Sequence, residues 1–251
     1  MRVSVEADSR ASKFVAVRRP PFGHRHEPAD LPHPFSERAG RAVTRWALRG
    51  YLGAEHVDRH HIPKRGAAIL VGNHPSFVDP FLVAFGTKRW VSWLAFEEAL
   101  QWPGAGQIMR LYRVIPLNTE KPQASSIKAA YATLARGRLL GVFCEGERSV
   151  GFDLNDPIKS GAARMAMRAN VPVVPVTIAG ARKAWPLGGY PKPGKVVVRY
   201  HPPIHPDDFD ASLTRRQRAD QMTNQIANSI KRALPPGGAP RFFGNGRRRG
   251  G

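Results

Sequence analysis

At 251 residues, 42% of them hydrophobic, the chain is long enough to bury a sizeable core. Its formal net charge of +20 directs attention to anionic partners: nucleic acid, a charged membrane surface or anionic substrates. A single cysteine, Cys144, excludes an internal disulfide and a cysteine-based zinc site, and no apolar run approaches the roughly 18–20 residues that span a bilayer.

Residues 1–34 are rich in Arg, Pro and His without a sustained period and read as a flexible basic tail. They hold no continuous apolar stretch of the secretory type, so a cytoplasmic protein is expected. Residues 35–53 read as a helix on which Arg38, Arg41, Arg45 and Arg49 share one face. That face is either solvated or laid on anionic lipid. Short apolar runs then follow at 67–72, 91–96, 112–117, 139–144, 171–179 and 195–200, each reading as a buried strand. Helical patterns lie between them at 125–136, where Ile127, Ala130, Tyr131 and Leu134 form a stripe ahead of Gly137, and at 160–169. A polar helix over 214–234 carries Met222, Ile226 and Ile230 at i+4 steps, and 235–251 is a second flexible basic tail. This alternation predicts an α/β fold, a mostly parallel or mixed sheet flanked by helices, with an N-terminal amphipathic helix and flexible basic tails. The expected domain covers 35–234, with its core at 60–210. Pro172 and Pro175 in the fifth run demote that strand to a sheet edge.

Where the first strand ends, the chain reads VGNHPSFVDP, with His74 and Asp79 five residues apart. Pro75 holds His74 extended, and Pro80 does the same to Asp79 while suiting the first turn of a helix. On a regular helix the two side chains would diverge by roughly 140°. In a tight turn at a strand end they converge, and strand ends of such sheets are where ligands bind. A carboxylate on one imidazole nitrogen sets the tautomer and makes the other nitrogen a better base. No G-x-S-x-G elbow supplies a nucleophile, so the simplest completion is a hydroxyl on the substrate. A turn-capping role accounts for the pair equally well. Further on, FCEGERS (143–149) ends an apolar strand with Arg148, whose planar fork suits phosphate, beside Gly146, which lets backbone approach a ligand. The nine histidines are scattered, with no H-E-x-x-H, so no metal is expected; His60–His61 reads as surface polar.

Taken together, the segments resemble the glycerolipid acyltransferase family, of which 1-acylglycerol-3-phosphate acyltransferase is the type member. NHPSFVD (73–79), YRVIPLN (112–118), FCEGERS (143–149) and VPVVPVTI (171–178) stand in the order of that family's four blocks. The resemblance implies an O-acyltransferase of phospholipid biosynthesis that uses acyl-CoA or acyl-ACP as co-substrate and no other cofactor. By the same resemblance His74 is the general base and Asp79 its orienting carboxylate. Glu145, Gly146 and Arg148 bind the acceptor, and Pro172 and Pro175 lie toward the acyl donor; Arg113, Arg110 or Lys121 would stand in for the acceptor arginine that the second block loses at Thr119. The oxyanion formed during transfer would be held by backbone N–H groups near 75–77. Arg113 and Thr119 depart from the second block, whose glycine and arginine they replace, and Cys144 and Glu147 depart from the third. The E-G-E-R-S variant and AWP (184–186) are similar to acyltransferase domains fused to acyl-activating synthetases. Acceptors then range from a lysophospholipid to a different lipid alcohol. The lipid substrates imply peripheral association with the inner face of a membrane. A basic nucleic-acid- or lipid-binding protein without catalysis is the alternative, although no helix-turn-helix, zinc-finger or RNP motif is present, so no nucleic acid partner is expected.

Overall fold

The computed structural model describes residues 44, 46, 48–101, 106, 107, 109, 112, 114–118, 123–144, 158–186 and 189–234. Both tails fall outside this set. Of the expected helix over 35–53, residues 44, 46 and 48–50 are helical, and Leu48 and Leu52 anchor this stretch in the core.

In chain order the elements are β1 (Ala54–Val57), β2 (Ala68–Gly72), α1 (Asp79–Ala84), β3 (Val91–Phe96), β4 (Ile115–Leu117), α2 (Ala124–Ala135), β5 (Leu139–Phe143), α3 (Gly161–Ala169), β6 (Val173–Ala179), α4 (Ala181–Ala184), β7 (Val196–Tyr200) and α5 (Arg215–Ala233). The strands form one seven-stranded sheet in the order β1-β7-β6-β2-β5-β3-β4. Pairing is parallel throughout except between β6 and β7, which run antiparallel. The sheet is therefore mixed, with helices on its faces, as the strand–helix alternation predicts.

The apolar runs lack alternation because both faces of the sheet are covered. In β2, Ala68 and Leu70 join one core cluster, with Leu82 of α1, Ala181 and Ala184 of α4, and Leu48. Ile69 and Val71 face the other way, toward Ala130 and Leu134 of α2, Ala166 of α3, and Met222, Ile226 and Ile230 of α5. The i+4 stripe on α5 is thus its buried face, and its N-terminus is closed by a reciprocal capping box between Thr214 and Gln217. No helix among the described residues is long and apolar enough to cross a membrane.

Two expectations fail. β1 (AEHV) carries Glu55 and His56, has no apolar run and escaped the sequence reading; it adds to the open edge of β7 with Ala54 opposite Val196. β6 is interior, flanked by β2 and β7, despite Pro175. The reason lies in the register. Val173 exchanges both backbone bonds with Ile204, and His201 N–H donates to the Pro175 carbonyl at 2.9 Å. Alternation therefore turns the Pro175 nitrogen toward residues 201–204, where the ladder is already interrupted between Tyr200 and the Val173–Ile204 bridge. The missing donor is lost at a gap, and the bonds to β2 are kept.

Candidate active site

The C-terminal ends of β2, β5, β3 and β6 lie together: Gly72 pairs with Phe143 on one side and with Val176 on the other. Residues 73–78 leave β2 at this rim. Asn73, 5% exposed, donates from Nδ2 to the Ile178 carbonyl at 2.9 Å and accepts the Ile178 N–H at Oδ1 at 2.8 Å. Its side-chain amide extends the β2–β6 ladder by one rung after the backbone has turned away. Ser76 Oγ donates to the Trp185 carbonyl at 3.0 Å, tying the turn to the segment after α4.

Within that frame His74 Nδ1 and Asp79 Oδ2 are 2.9 Å apart, and the Ser76 amide donates to the same oxygen at 2.6 Å. Asp79 is fully buried, whereas the His74 side chain keeps 19% of its surface exposed. A carboxylate between an amide and an imidazole accepts from both. In a neutral ring this arrangement favours the tautomer with the proton on Nδ1 and Nε2 as the acceptor nitrogen. The ring is thus partly open to solvent with the buried carboxylate behind it, the arrangement that general-base chemistry requires. The His74 ring also lies flat on Phe143, centroids 3.9 Å apart and planes 7° apart. Phe143 stacks in turn on Trp93 at 4.9 Å. Trp93 lies across Gly141, where a Cβ would collide with its indole; the glycine is what lets the ring lie down on β5.

The local geometry corrects two expectations. Asp79 is the first residue of α1 rather than extended. Its carboxylate bond to the Ser76 amide and its own N–H donation to the Ser76 carbonyl, at 3.3 Å, offset the steric bias that precedes proline, and Pro80 in the first turn has no amide to satisfy. The expected oxyanion donors shrink as well. Pro75 has no N–H, and the Ser76 N–H is committed to Asp79.

The other sequence-derived residues fare differently. Glu145, Gly146, Arg148 and Arg113 lie outside the described residues, as does Thr119. The ends of the segment that holds the third block are nevertheless placed. Cys144 N–H donates to the Gly72 carbonyl at 3.0 Å, and Lys159 N–H donates to the Cys144 carbonyl at 2.9 Å, so the chain leaves and rejoins the sheet beside the His74 turn. Pro175 pairs with Val71, one rung below the rim. Pro172 is four residues back from Val176, about 13 Å toward the opposite end of the sheet, and is not brought near His74. His60 is exposed as expected, whereas half-buried His61 bonds through Nδ1 to the Tyr200 carbonyl at 2.8 Å. Asn73, Phe143 and Trp93 are the contributors that the sequence reading passed over. Asn73 and Phe143 belong to the quoted blocks, but their partners are distant in the chain. Among the described residues no group of three or more His, Cys, Asp or Glu is placed to hold a metal.

The family model described as Acyltransferase matches residues 54–179, from β1 through β6. The chain is 30% identical over 192 residues to a 1-acyl-sn-glycerol-3-phosphate acyltransferase from Limnanthes alba, an alignment covering 75% of this chain and 64% of that relative. It is 27% identical to a protein of the same name from Bacillus subtilis, over 74% of this chain and 89% of the relative. This chain thus spans a little under two thirds of the plant protein and most of the bacterial one. Its fold is similar to the crystal structure of the 1-acyl-sn-glycerophosphate acyltransferase from Thermotoga maritima, with a TM-score of 0.58 at 24% identity over 78% of this chain and 80% of that one. With the matched region covering just over half of its length, the chain belongs to the acyltransferase family.

Proposed function

We propose that the protein transfers a fatty acyl group from an acyl thioester, acyl-CoA or acyl-ACP, to the free hydroxyl of 1-acylglycerol-3-phosphate. The observation that carries this reading is the His74–Asp79 bond of 2.9 Å at the rim formed by the C-terminal strand ends, where sheets of this kind bind ligands, with the imidazole partly exposed and the carboxylate sealed. The names of the relatives supply the substrate class.

In the proposed reaction His74 Nε2 removes the proton of the acceptor hydroxyl as its oxygen attacks the thioester carbonyl. Asp79 stabilises the imidazolium that forms. The tetrahedral oxyanion takes donors other than the amides of residues 75 and 76. Collapse expels the thiolate, which takes the proton back from His74, leaving the new ester, a free thiol and a neutral imidazole. Arg148 and Arg113 bind the acceptor phosphate. This role falls to them because Thr119 stands where the resembled block has an arginine. Glu145 and Gly146 complete the acceptor segment. The substrates place the enzyme at a membrane surface, on its cytoplasmic side.

The test is a screen of purified protein with acyl-CoA or acyl-ACP against 1-acylglycerol-3-phosphate, other lysophospholipids and simple lipid alcohols, with products read by mass. Diacylglycerol-3-phosphate is the expected product. Product from another lipid alcohol alone would replace the acceptor assignment. The absence of any acylated product with either donor would overturn the reading.

A further inference from the structure

One hydrogen bond fixes one point of a ring and leaves its plane to be set by packing. Rotation of a histidine ring about Cβ–Cγ is broad and two-fold, and a half turn exchanges Nδ1 with Cδ2 and Nε2 with Cε1. The bond between His74 Nδ1 and Asp79 Oδ2 chooses between those two positions, but it leaves the ring free to tilt about the bond's own axis. A base that acts on a bound hydroxyl needs the tilt fixed as well. The Nε2 lone pair lies in the ring plane, and misalignment of reacting atoms costs rate steeply.

The strand register supplies a plane. Gly141 and Phe143 are two apart on β5 and share one face of the sheet, and Gly141 pairs with Trp93 of β3. Because Gly141 has no Cβ, the six-membered ring of Trp93 occupies the space above it; a methyl there would collide with Trp93 Cε3 and Cζ3. So seated, the indole meets Phe143 at 4.9 Å and 13°, and Phe143 meets His74 at 3.9 Å and 7°. Three rings, from β3, β5 and the turn after β2, thus stand nearly parallel across three neighbouring strands. The row is rooted in the core at Trp93, which is buried, passes through half-buried Phe143 and ends on the partly exposed imidazole. An aliphatic side chain at 143 would bury comparable surface but present no flat face. The electron-rich face of Phe143 also attracts the positive charge that builds on the imidazole as it takes a proton.

We propose that Phe143 is a positioning residue for the base: its face sets the plane of the His74 ring while Asp79 sets the ring's rotation, and Trp93, seated on Gly141, backs Phe143 from behind. That the positioned ring acts as a base rests on the acyl-transfer reading. That the stack holds the ring rests on the geometry of the three side chains alone. Gly141 enters the account without touching His74, through the place it leaves for the indole.

The test uses the full-length protein with 15N-labelled histidine. Two-bond proton–nitrogen spectra read the tautomer of each imidazole, and His74 is assigned among the nine histidines by the signals that His74→Ala removes. The wild type is expected to show His74 in the Nδ1–H tautomer. Phe143→Leu keeps an apolar side chain of similar bulk without a flat face. It should give a mixture of tautomers at His74 and lower kcat by about 10–10²-fold, with KM for both substrates within about twofold of wild type. Phe143→Tyr keeps the ring and should restore the single tautomer and most of kcat. Gly141→Ala, which disturbs Trp93 alone, should move both readings in the direction of Phe143→Leu; the two Phe143 variants carry the decision whether or not it folds. Activities are compared at a temperature where circular dichroism shows each variant folded. A wild type with mixed tautomers at His74 would overturn the proposal, as would Phe143→Leu with an unchanged tautomer and kcat. Phe143→Tyr no better than Phe143→Leu would reduce the requirement to bulk, and a raised KM at constant kcat would make Phe143 a substrate contact; either result overturns the positioning role. A wild type that acylates no acceptor would remove the acyl-transfer reading, and the tautomer in Phe143→Leu would still decide whether the stack holds the ring.

Discussion

Replacing Asn73 with alanine would strand the Ile178 N–H and carbonyl, which the Asn73 amide pairs at 2.8 and 2.9 Å in a site only 5% exposed. β2 ends at Gly72, so no backbone group stands ready to take over. Leaving a buried polar group unpaired costs about 1–3 kcal/mol, and two such groups give about 2–6 kcal/mol. For a chain of this size, that corresponds to a drop in Tm of about 5–15 °C. Asn73→Asp loses the donor and, ionised, sets a buried charge against the Ile178 carbonyl, so it should be at least as destabilising as Asn73→Ala. Thermal unfolding followed by circular dichroism measures the series. Because the His74 turn hangs from this rung, acyl transfer by Asn73→Ala should also fall at temperatures where the protein remains folded. A Tm within about 2 °C of wild type would refute the accounting, since it would mean that water or a shifted backbone satisfies Ile178 at almost no cost.

Asp79→Asn should lower kcat by about 10²–10⁴-fold with a smaller effect on the acceptor KM, because an amide in place of the carboxylate sets the wrong imidazole tautomer and no longer supports its cation; steady-state kinetics against both substrates checks the split. Gly86→Ala would drive a methyl into the buried Tyr200 hydroxyl, which donates to the Val83 carbonyl at 2.9 Å. A stability loss of about 1–3 kcal/mol is expected from urea unfolding, and Tyr200→Phe combined with it should recover part of that loss. Burial, with Arg199 nearby, pushes His201 down from its ordinary 6.5 to about 4. Between those two values the unfolded chain binds a proton that the folded chain refuses, so stability should fall as pH drops from about 6.5 toward 4. His201→Gln should flatten that part of a stability-versus-pH curve, with Thr177, whose Oγ lies 2.8 Å from His201 Nε2, still offered a partner.

What the sequence disclosed follows from the range of each interaction. β2 over Ala68–Gly72 is legible because burial on both faces demands an uninterrupted apolar run, and β3 over Val91–Phe96 because Ser92 alone breaks its run. The stripe on α5 is legible because only one face of a surface helix is buried. β1 is not, because a four-residue edge strand carrying Glu55 and His56 needs neither pattern. Pro175 misleads for a different reason. The rule that bars proline from sheet interiors concerns its missing donor, and here that donor faces a break in the ladder fixed by residues 201–204. The same division runs through the site. His74 and Asp79 are five residues apart, so two prolines and a turn suffice to announce them. The Asn73–Ile178 bonds span 105 residues, and the Phe143 stack on His74 joins β5 to the turn after β2; both depend on strand order, which no local pattern encodes.

The most direct measurement is acyl transfer by His74→Ala, with folding verified by an unchanged melting transition. Loss of general-base catalysis is worth about 10²–10⁴-fold, and kcat should fall at least that far while donor binding persists. Turnover close to wild type by the folded variant would contradict the account, leaving the His74–Asp79 pair as the brace of a turn.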